Sequence, residues 1–236
     1  MLAVKRIHHI GEWNASAAIG FPINDSPTLL AFLRSALQDV HDGLDREGCW
    51  MNKIDLDVAS RHWAVNPLVG PVVLVTTVNA HGWVNIAPKS WVSFVSGKPF
   101  RLVLGCHREH HTAINLFANG ECVINLPSDD TVQKVWNAQT PLPPAPDEPQ
   151  ARGFATIPAV KVKPPRLVEC RAHMECLVEN VLTFGDELAF ILKVTAASVD
   201  ESVLDADDPM VDLRPMFYVS PGTYGVIELG RRVQQG

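Results

Sequence analysis

Four residues close together in the chain, Lys89, Ser90, Arg108 and Thr112, have the types needed to hold an anion. Lys89 and Ser90 follow Pro88, which stiffens the exit from a predicted strand, so a cation and a hydroxyl can face one anion. Arg108 falls in the next predicted loop, and a guanidinium grips phosphate oxygens bidentately. Thr112 opens a predicted helix whose free N–H groups and positive dipole end favour negative charge. Two loops and a helix start therefore converge on a phosphate if the strands pair in chain order. The run Cys106-His107-Arg108-Glu109-His110-His111 in the same stretch also contains metal-ligand types. No second cluster at ligand spacing completes a tetrahedral set, so no metal is expected.

Each of these residues has a plainer alternative. Lys89 alone could be a solvated surface charge. Cys106 has the profile of a small buried apolar residue, since neither a partner nor a cause of a low pKa is visible for a reactive thiolate. Asn115 and Asn125 lie in apolar strand and helix patterns, and at least one of them is expected to satisfy buried backbone. Trp83 and Trp91 could stack on a ligand ring or pack in a core or dimer contact. Nucleophile motifs, a P-loop and a glycine-rich dinucleotide fingerprint are all missing from the sequence.

The elements that must carry these residues are mostly strands. Pro71 to Val78 is β-branched and almost wholly apolar, as in a strand buried on both faces. Asn79-Ala80-His81-Gly82 turns it into a short strand from Trp83 to Ile86. Trp91–Val95 and Arg101–Leu104 form the next predicted pair. Thr112 to Ala118 reads as a helix stopped by Asn119-Gly120, and Cys122–Leu126 as a strand. Ser128-Asp129-Asp130 is expected to cap a helix running toward Gln139. Pro141 to Pro149 holds five of the eighteen prolines and is expected to be irregular. Ala172–Thr183 and Glu187–Val199 read as two long strands joined at Phe184-Gly185-Asp186, with a last strand from Thr223 to Leu229. Many antiparallel strands and few helices predict a mainly β barrel or sandwich. Residues 1–50 read differently, with one helix from Thr28 to Gly43. They are expected to form an N-terminal extension, with Met51 as an alternative start, ahead of a domain over residues 51–230.

Composition narrows the options. Of the 236 residues 47% are hydrophobic, enough for a core. The formal net charge of −6 offers no basic face for nucleic acid or anionic lipid. The sequence has no apolar run of membrane-spanning length. Five cysteines without close pairing argue against a disulfide framework, and a cytoplasmic location is expected.

In order along the chain come Asn85-Ile86-Ala87-Pro88-Lys89-Ser90, Gly105-Cys106-His107-Arg108, Thr112-Ala113-Ile114-Asn115 and Gly120-Glu121-Cys122-Val123-Ile124-Asn125. Together with Asp147-Glu148, Glu175-Cys176, Gly185-Asp186 and Tyr224, this series resembles the flavin reductase-like family, especially its flavoredoxin-type members. His111 departs from the pattern, since relatives often carry an acidic residue before the helix threonine. The resemblance implies an FMN-binding split β-barrel with short peripheral helices. FMN would be held by Lys89, Ser90, Arg108 and Thr112 at its phosphate, and Asn115 would lie near the flavin. The main chain around Asn85–Ala87 and Cys106-His107 would face the ring edge and ribityl chain.

A homodimer is implied as well, and so is NAD(P)H-dependent flavin reduction that could feed a partner monooxygenase. Without a dinucleotide fingerprint, NAD(P)H would bind transiently against the flavin, and no protein acid or base is required. Three alternatives stay open at this stage: an FMN electron carrier without efficient NAD(P)H turnover, an FMN-dependent oxidase or oxygenase acting on a small substrate, and a non-flavin interaction protein using the proline-rich loop.

Overall fold

A computed structural model describes residues 68–227. The expected helix Thr28–Gly43 and the end of the last expected strand, residues 228–229, lie outside the described residues.

Twelve strands and five short helices follow one another along these residues. They are β1 (Gly70–Pro71), β2 (Val73–Val78), β3 (Val84–Lys89), β4 (Val92–Gly97) and β5 (Phe100–His107), then α1 (His111–Asn119) and β6 (Glu121–Pro127). A 3-10 turn at Asp129–Thr131 leads into α2 (Val132–Asn137), followed by α3 (Glu148–Ala151), β7 (Thr156–Ile157) and β8 (Arg166–Leu167). The long strands β9 (Cys170–Phe184) and β10 (Glu187–Val199) come next. After them come α4 (Glu201–Leu204), α5 (Pro209–Asp212), β11 (Met216–Ser220) and β12 (Thr223–Val226).

Seven strands form one antiparallel sheet in the order β3-β2-β6-β9-β10-β5-β4. Its two edge strands, β3 and β4, are consecutive in the chain and separated only by Ser90 and Trp91. Two residues cannot cross the width of a flat seven-stranded sheet, so the sheet must curl until its edges meet at this corner. At this corner Gly105 of β5 extends the β4–β5 ladder by donating its N–H to the Trp91 carbonyl at 2.8 Å. A Cβ at Gly105 would stand 2.9 Å from the Trp91 Cβ, so only glycine fits there. Register shifts in β10 between Ile191 and Leu192 and between Val194 and Ala196 supply the bends that curvature needs. The barrel is split, because the edge strands meet without a hydrogen-bonded ladder between them.

β2 is buried along its whole length and feeds two cores. Val73 and Val75 join Leu104, Ile124, Phe190 and Leu192 on one side, while Val72 and Leu74 join Ile86, Val135, Leu167 and Met216 on the other. This two-sided burial is what the continuous apolar run predicts.

Several expected boundaries change. β3 extends through Pro88 to Lys89, so Pro88 lies within a strand and the strand exit is Ser90. β3 is an edge strand, and the Ile86 N–H points off the sheet to Glu148. Pro88, two residues on, faces the same open side, where its missing N–H breaks no ladder bond. β5 runs to His107, so Cys106 and His107 are strand residues. α1 stops as expected, with Gly120 left-handed at φ 68° and its N–H bonded to Leu116. Ser128 makes no side-chain cap, and the expected helix is a 3-10 turn followed by α2. The proline-rich segment ends in the single helical turn α3, which was expected to be irregular. Sequence periodicity cannot find a two-residue strand, and β1, β7 and β8 were missed for that reason.

Candidate functional site

The barrel edge and the N-terminus of α1 enclose a cleft of about 350 Å³. One wall is β3 from Asn85 to Lys89 together with Glu109, His110, His111 and Thr112 at the start of α1. The opposite wall is Ala138, Gln139, Pro141, Leu142 and Arg152, contributed by the segment after α2 and the end of α3. A second hollow of about 230 Å³ shares Asn85 and His111 and is lined also by Trp83, Ile114, Asn115, Pro144 and Glu148.

The sheet and one buried helix face hold the first wall. Thr112 and Asn115 are buried on the inner face of α1. Asn85 Nδ2 reaches Thr112 Oγ1 at 3.5 Å, and Asn115 Nδ2 donates to Thr77 Oγ1 of β2 at 3.0 Å. Asn125 takes the purely architectural role: its amide donates to the Leu74 carbonyl at 2.9 Å and its carbonyl accepts from Leu167 N at 2.9 Å. The first turn of α1 contains no acidic residue, and the one carboxylate on this wall, Glu109, stands just ahead of the helix.

Glu148 fastens the second wall. Its carboxylate is buried, accepting from Ile86 N at 3.2 Å and from Arg152 Nε at 2.8 Å. Arg152, also largely enclosed, donates through Nη2 to the Thr140 carbonyl at 3.2 Å. Gln139 Nε2 donates to the Tyr224 hydroxyl at 2.6 Å, tying the same wall to β12. Thus the proline-rich segment is a wall fixed to the barrel, and two residues of the family-like series, Glu148 and Tyr224, are its anchors.

The residues singled out from sequence divide into three groups. Asn85, Ala87, Lys89 and Thr112 line the cleft, and Asn115 lines the adjoining hollow. Cys106 is buried behind the wall, with Sγ 3.7 Å from His110 Nδ1; burial raises its thiol pKa, which does not favour a nucleophilic role. His107 is half-buried at the end of β5, with its ring 5.5 Å from that of His110. Ser90 and Arg108 do not line the cleft. Arg108 is exposed and turned toward Asp186 at 3.5 Å.

Sequence reasoning missed His110, Gln139, Leu142 and Arg152 as cleft residues. His110 was legible only as a metal-ligand type, yet its Nδ1 stands 3.0 Å from Lys89 Nζ. No group of three or more potential metal ligands gathers among the described residues. No described helix is long and apolar enough to cross a membrane.

Comparison with known proteins gives a consistent relationship. An uncharacterised protein of Halalkalibacterium halodurans is 32% identical over 143 residues, covering 56% of this chain and 68% of that protein. An uncharacterised protein of Pyrococcus abyssi is 29% identical over 156 residues, covering 65% and 88%. Among solved structures, nitrilotriacetate monooxygenase component B of Bacillus cereus superposes with a TM-score of 0.69 at 20% identity, over 79% of this chain and all of that one. Flavoredoxin of Methanosarcina acetivorans superposes with a TM-score of 0.64 at 23% identity, over 78% and 95%. These structural likenesses establish the shared split-barrel fold. The flavin reductase like domain matches residues 66–222, the greater part of the chain, and this protein therefore belongs to that family.

Proposed function

We propose that this protein binds FMN in the cleft between β3 and the proline-rich wall and reduces it with NAD(P)H. The observation that carries this reading is the joining of Lys89, at the end of β3, to the N-terminus of α1, whose first turn holds no carboxylate, in one cleft. A terminal phosphate fits that corner, since an ammonium and free helix N–H groups are its usual partners. The open edge of β3 fits the flat ring and ribityl chain, with Asn85, Ala87 and the neighbouring Asn115 at hand. Cys106 and His107 would contribute as the strand behind the site. Ser90 and Arg108 would need to turn inward to reach a ligand, and Arg108 would have to leave Asp186.

Bound FMN would supply the redox chemistry, taking hydride from nicotinamide. The protein would hold and orient the ring and leave one face open to a transient donor. That the superposing protein of Bacillus cereus is a monooxygenase component supports a partner monooxygenase that takes the reduced flavin. The flavin-binding unit would span residues 51–230 and work as a homodimer, with residues 1–50 dispensable for binding. Phe94, Phe100, Leu182 and Phe184 are exposed on adjoining hairpins and would be covered in that dimer.

Absorbance spectra of the purified protein before and after NADH and NADPH test the reading. A yellow protein bleached by either donor is expected. Yellow protein that neither donor bleaches would support an electron carrier, and a colourless protein that does not take up FMN would overturn the assignment. FMN should bind more tightly than riboflavin in a fluorescence titration. A chain starting at Met51 should be as yellow as the full one.

A further inference from the structure

Lys89 and His110 meet side chain to side chain within the cleft. The Lys89 ammonium has only donors, so at 3.0 Å it must donate to a lone pair on His110 Nδ1. His110 is then neutral, with its proton on Nε2. Partial enclosure in the cleft, then the Lys89 ammonium and the His107 ring, hold its imidazole below the ordinary histidine range, while Glu187 opposes them. The other titratable or charged neighbours are Cys106 Sγ at 3.7 Å and His111, with Glu109 and Arg152 lining the same cleft. Both members of the pair line the same cleft beside the α1 N-terminus. His110 makes no helix-cap bond that would give it a structural task.

Resting on the FMN reading above, the geometry points to His110 as a second, proton-linked phosphate ligand: FMN binds together with a proton taken up at His110. Two negative charges entering the corner draw the Lys89 N–H away from Nδ1 to phosphate oxygen. The freed Nδ1 takes a proton from solvent, and His110 becomes a cation beside a dianion. The proton count balances, with one proton from solvent per FMN bound wherever pH lies between the free and bound pKa values of His110. Riboflavin has no phosphate and takes up none. FMN affinity must therefore rise as pH falls through the bound-state pKa, and level off below the free-state one. The second ionisation of a phosphate monoester, near pH ~6, acts in the opposite direction and sets the lower limit of a clean measurement.

The test is titration of the full-length protein with FMN and with riboflavin from pH 8.5 to pH ~6.5, by flavin fluorescence, where phosphate remains largely dianionic. Calorimetry at neutral pH in two buffers of different ionisation heat counts the protons. FMN should tighten by at least about fivefold over this range, the low end of usual site–site coupling, with net proton uptake. Riboflavin affinity should stay flat. His110→Gln should bind FMN with no pH slope and no proton uptake, and His110→Asn, which suits a helix N-cap, guards against a folding artefact. A slope retained in both variants, lost instead in His111→Gln, or shared by riboflavin would overturn the inference. FMN binding that is stronger than riboflavin binding yet flat with pH would overturn this inference alone. Failure to bind FMN at every pH would overturn the functional reading as well.

Discussion

The two walls of the cleft are held by different physics. The β3–α1 wall is part of the main sheet: six residue pairs tie β3 to β2, and the inner face of α1 is buried against the barrel. The opposite wall, from Ala138 to Arg152, hangs on a few side chains, with Glu148 reaching Ile86 N across 62 positions of sequence. One wall is set by a cooperative ladder, so single side chains on it can be spent on ligand. In the other, single side chains are the structure. Variants on the two walls should therefore fail differently.

The largest effect is expected at Glu148. Its carboxylate is 1% exposed, and Arg152, its partner, has a side chain only 6% exposed. Glu148→Ala leaves a buried guanidinium and a backbone N–H without their acceptor. Removing one member of such a pair costs about 3–5 kcal/mol. The denaturant midpoint should fall accordingly, and FMN binding should weaken with it as the wall detaches. A variant as stable as the parent would mean that the proline-rich wall is held by something other than Glu148.

Lys89→Ala should separate ligand from fold. Losing one charge-assisted contact to phosphate costs about 1.5–3 kcal/mol, or roughly ten- to a hundredfold in FMN affinity. Lys89 is at the end of an edge strand whose partner bonds are all backbone, so stability should change by no more than ~0.5 kcal/mol. Fluorescence titration and a melting curve on the same preparation give both numbers. Unchanged FMN affinity would remove the phosphate from this corner.

This contrast also accounts for what the sequence could tell. From Pro71 to Leu126 the apolar run, turn residues and glycine stop sit next to the elements they specify, and β2, α1 and β6 follow directly from them. The ordered series from Asn85 to Asn125 carries the first wall for the same reason. The second wall was unreadable. Nothing local says that Glu148 meets Ile86 or that Gln139 meets Tyr224, and proline content indicated only irregularity. His110 looked like a metal ligand because its relation to Lys89, 21 positions away, exists only once the barrel edge is built.

A smaller effect concerns pH and the support beneath the second wall. His173 is buried, with Nε2 2.9 Å from the Leu167 carbonyl of β8 and Nδ1 3.1 Å from Ser198 Oγ. Burial first, with Arg166 adding to it, lowers its pKa below the ordinary histidine value. The unfolded chain therefore binds the proton first as pH drops. The stability His173 contributes is complete above pH ~6.5 and is lost as pH falls from there through its folded-state pKa, at up to ~1.4 kcal/mol per pH unit. Denaturation of the parent and of His173→Gln between pH 8 and 5 should show the parent losing more. Parallel curves would mean that His173 titrates alike in both states.

The smallest effect is expected at Arg108, and it tests how far the first wall extends. Its type and position suit a phosphate grip, and its main-chain N–H is fixed to the Asp186 carbonyl at 2.9 Å. The side chain is 53% exposed and 3.5 Å from Asp186, itself 73% exposed, and it does not line the cleft. An exposed pair of this kind is worth roughly 0–1 kcal/mol, so Arg108→Ala should leave stability almost unchanged. In FMN affinity it should lose less than Lys89→Ala, since a guanidinium that must first leave Asp186 and reorder a long stem gains less from phosphate. Asp186→Ala adds a second measurement. If Arg108 is restrained by Asp186, freeing it should tighten FMN slightly at low salt and not at high salt. An Arg108→Ala loss equal to that of Lys89→Ala would mean that the turn between β9 and β10 closes over the phosphate when FMN binds, and that the first wall is larger than the free cleft.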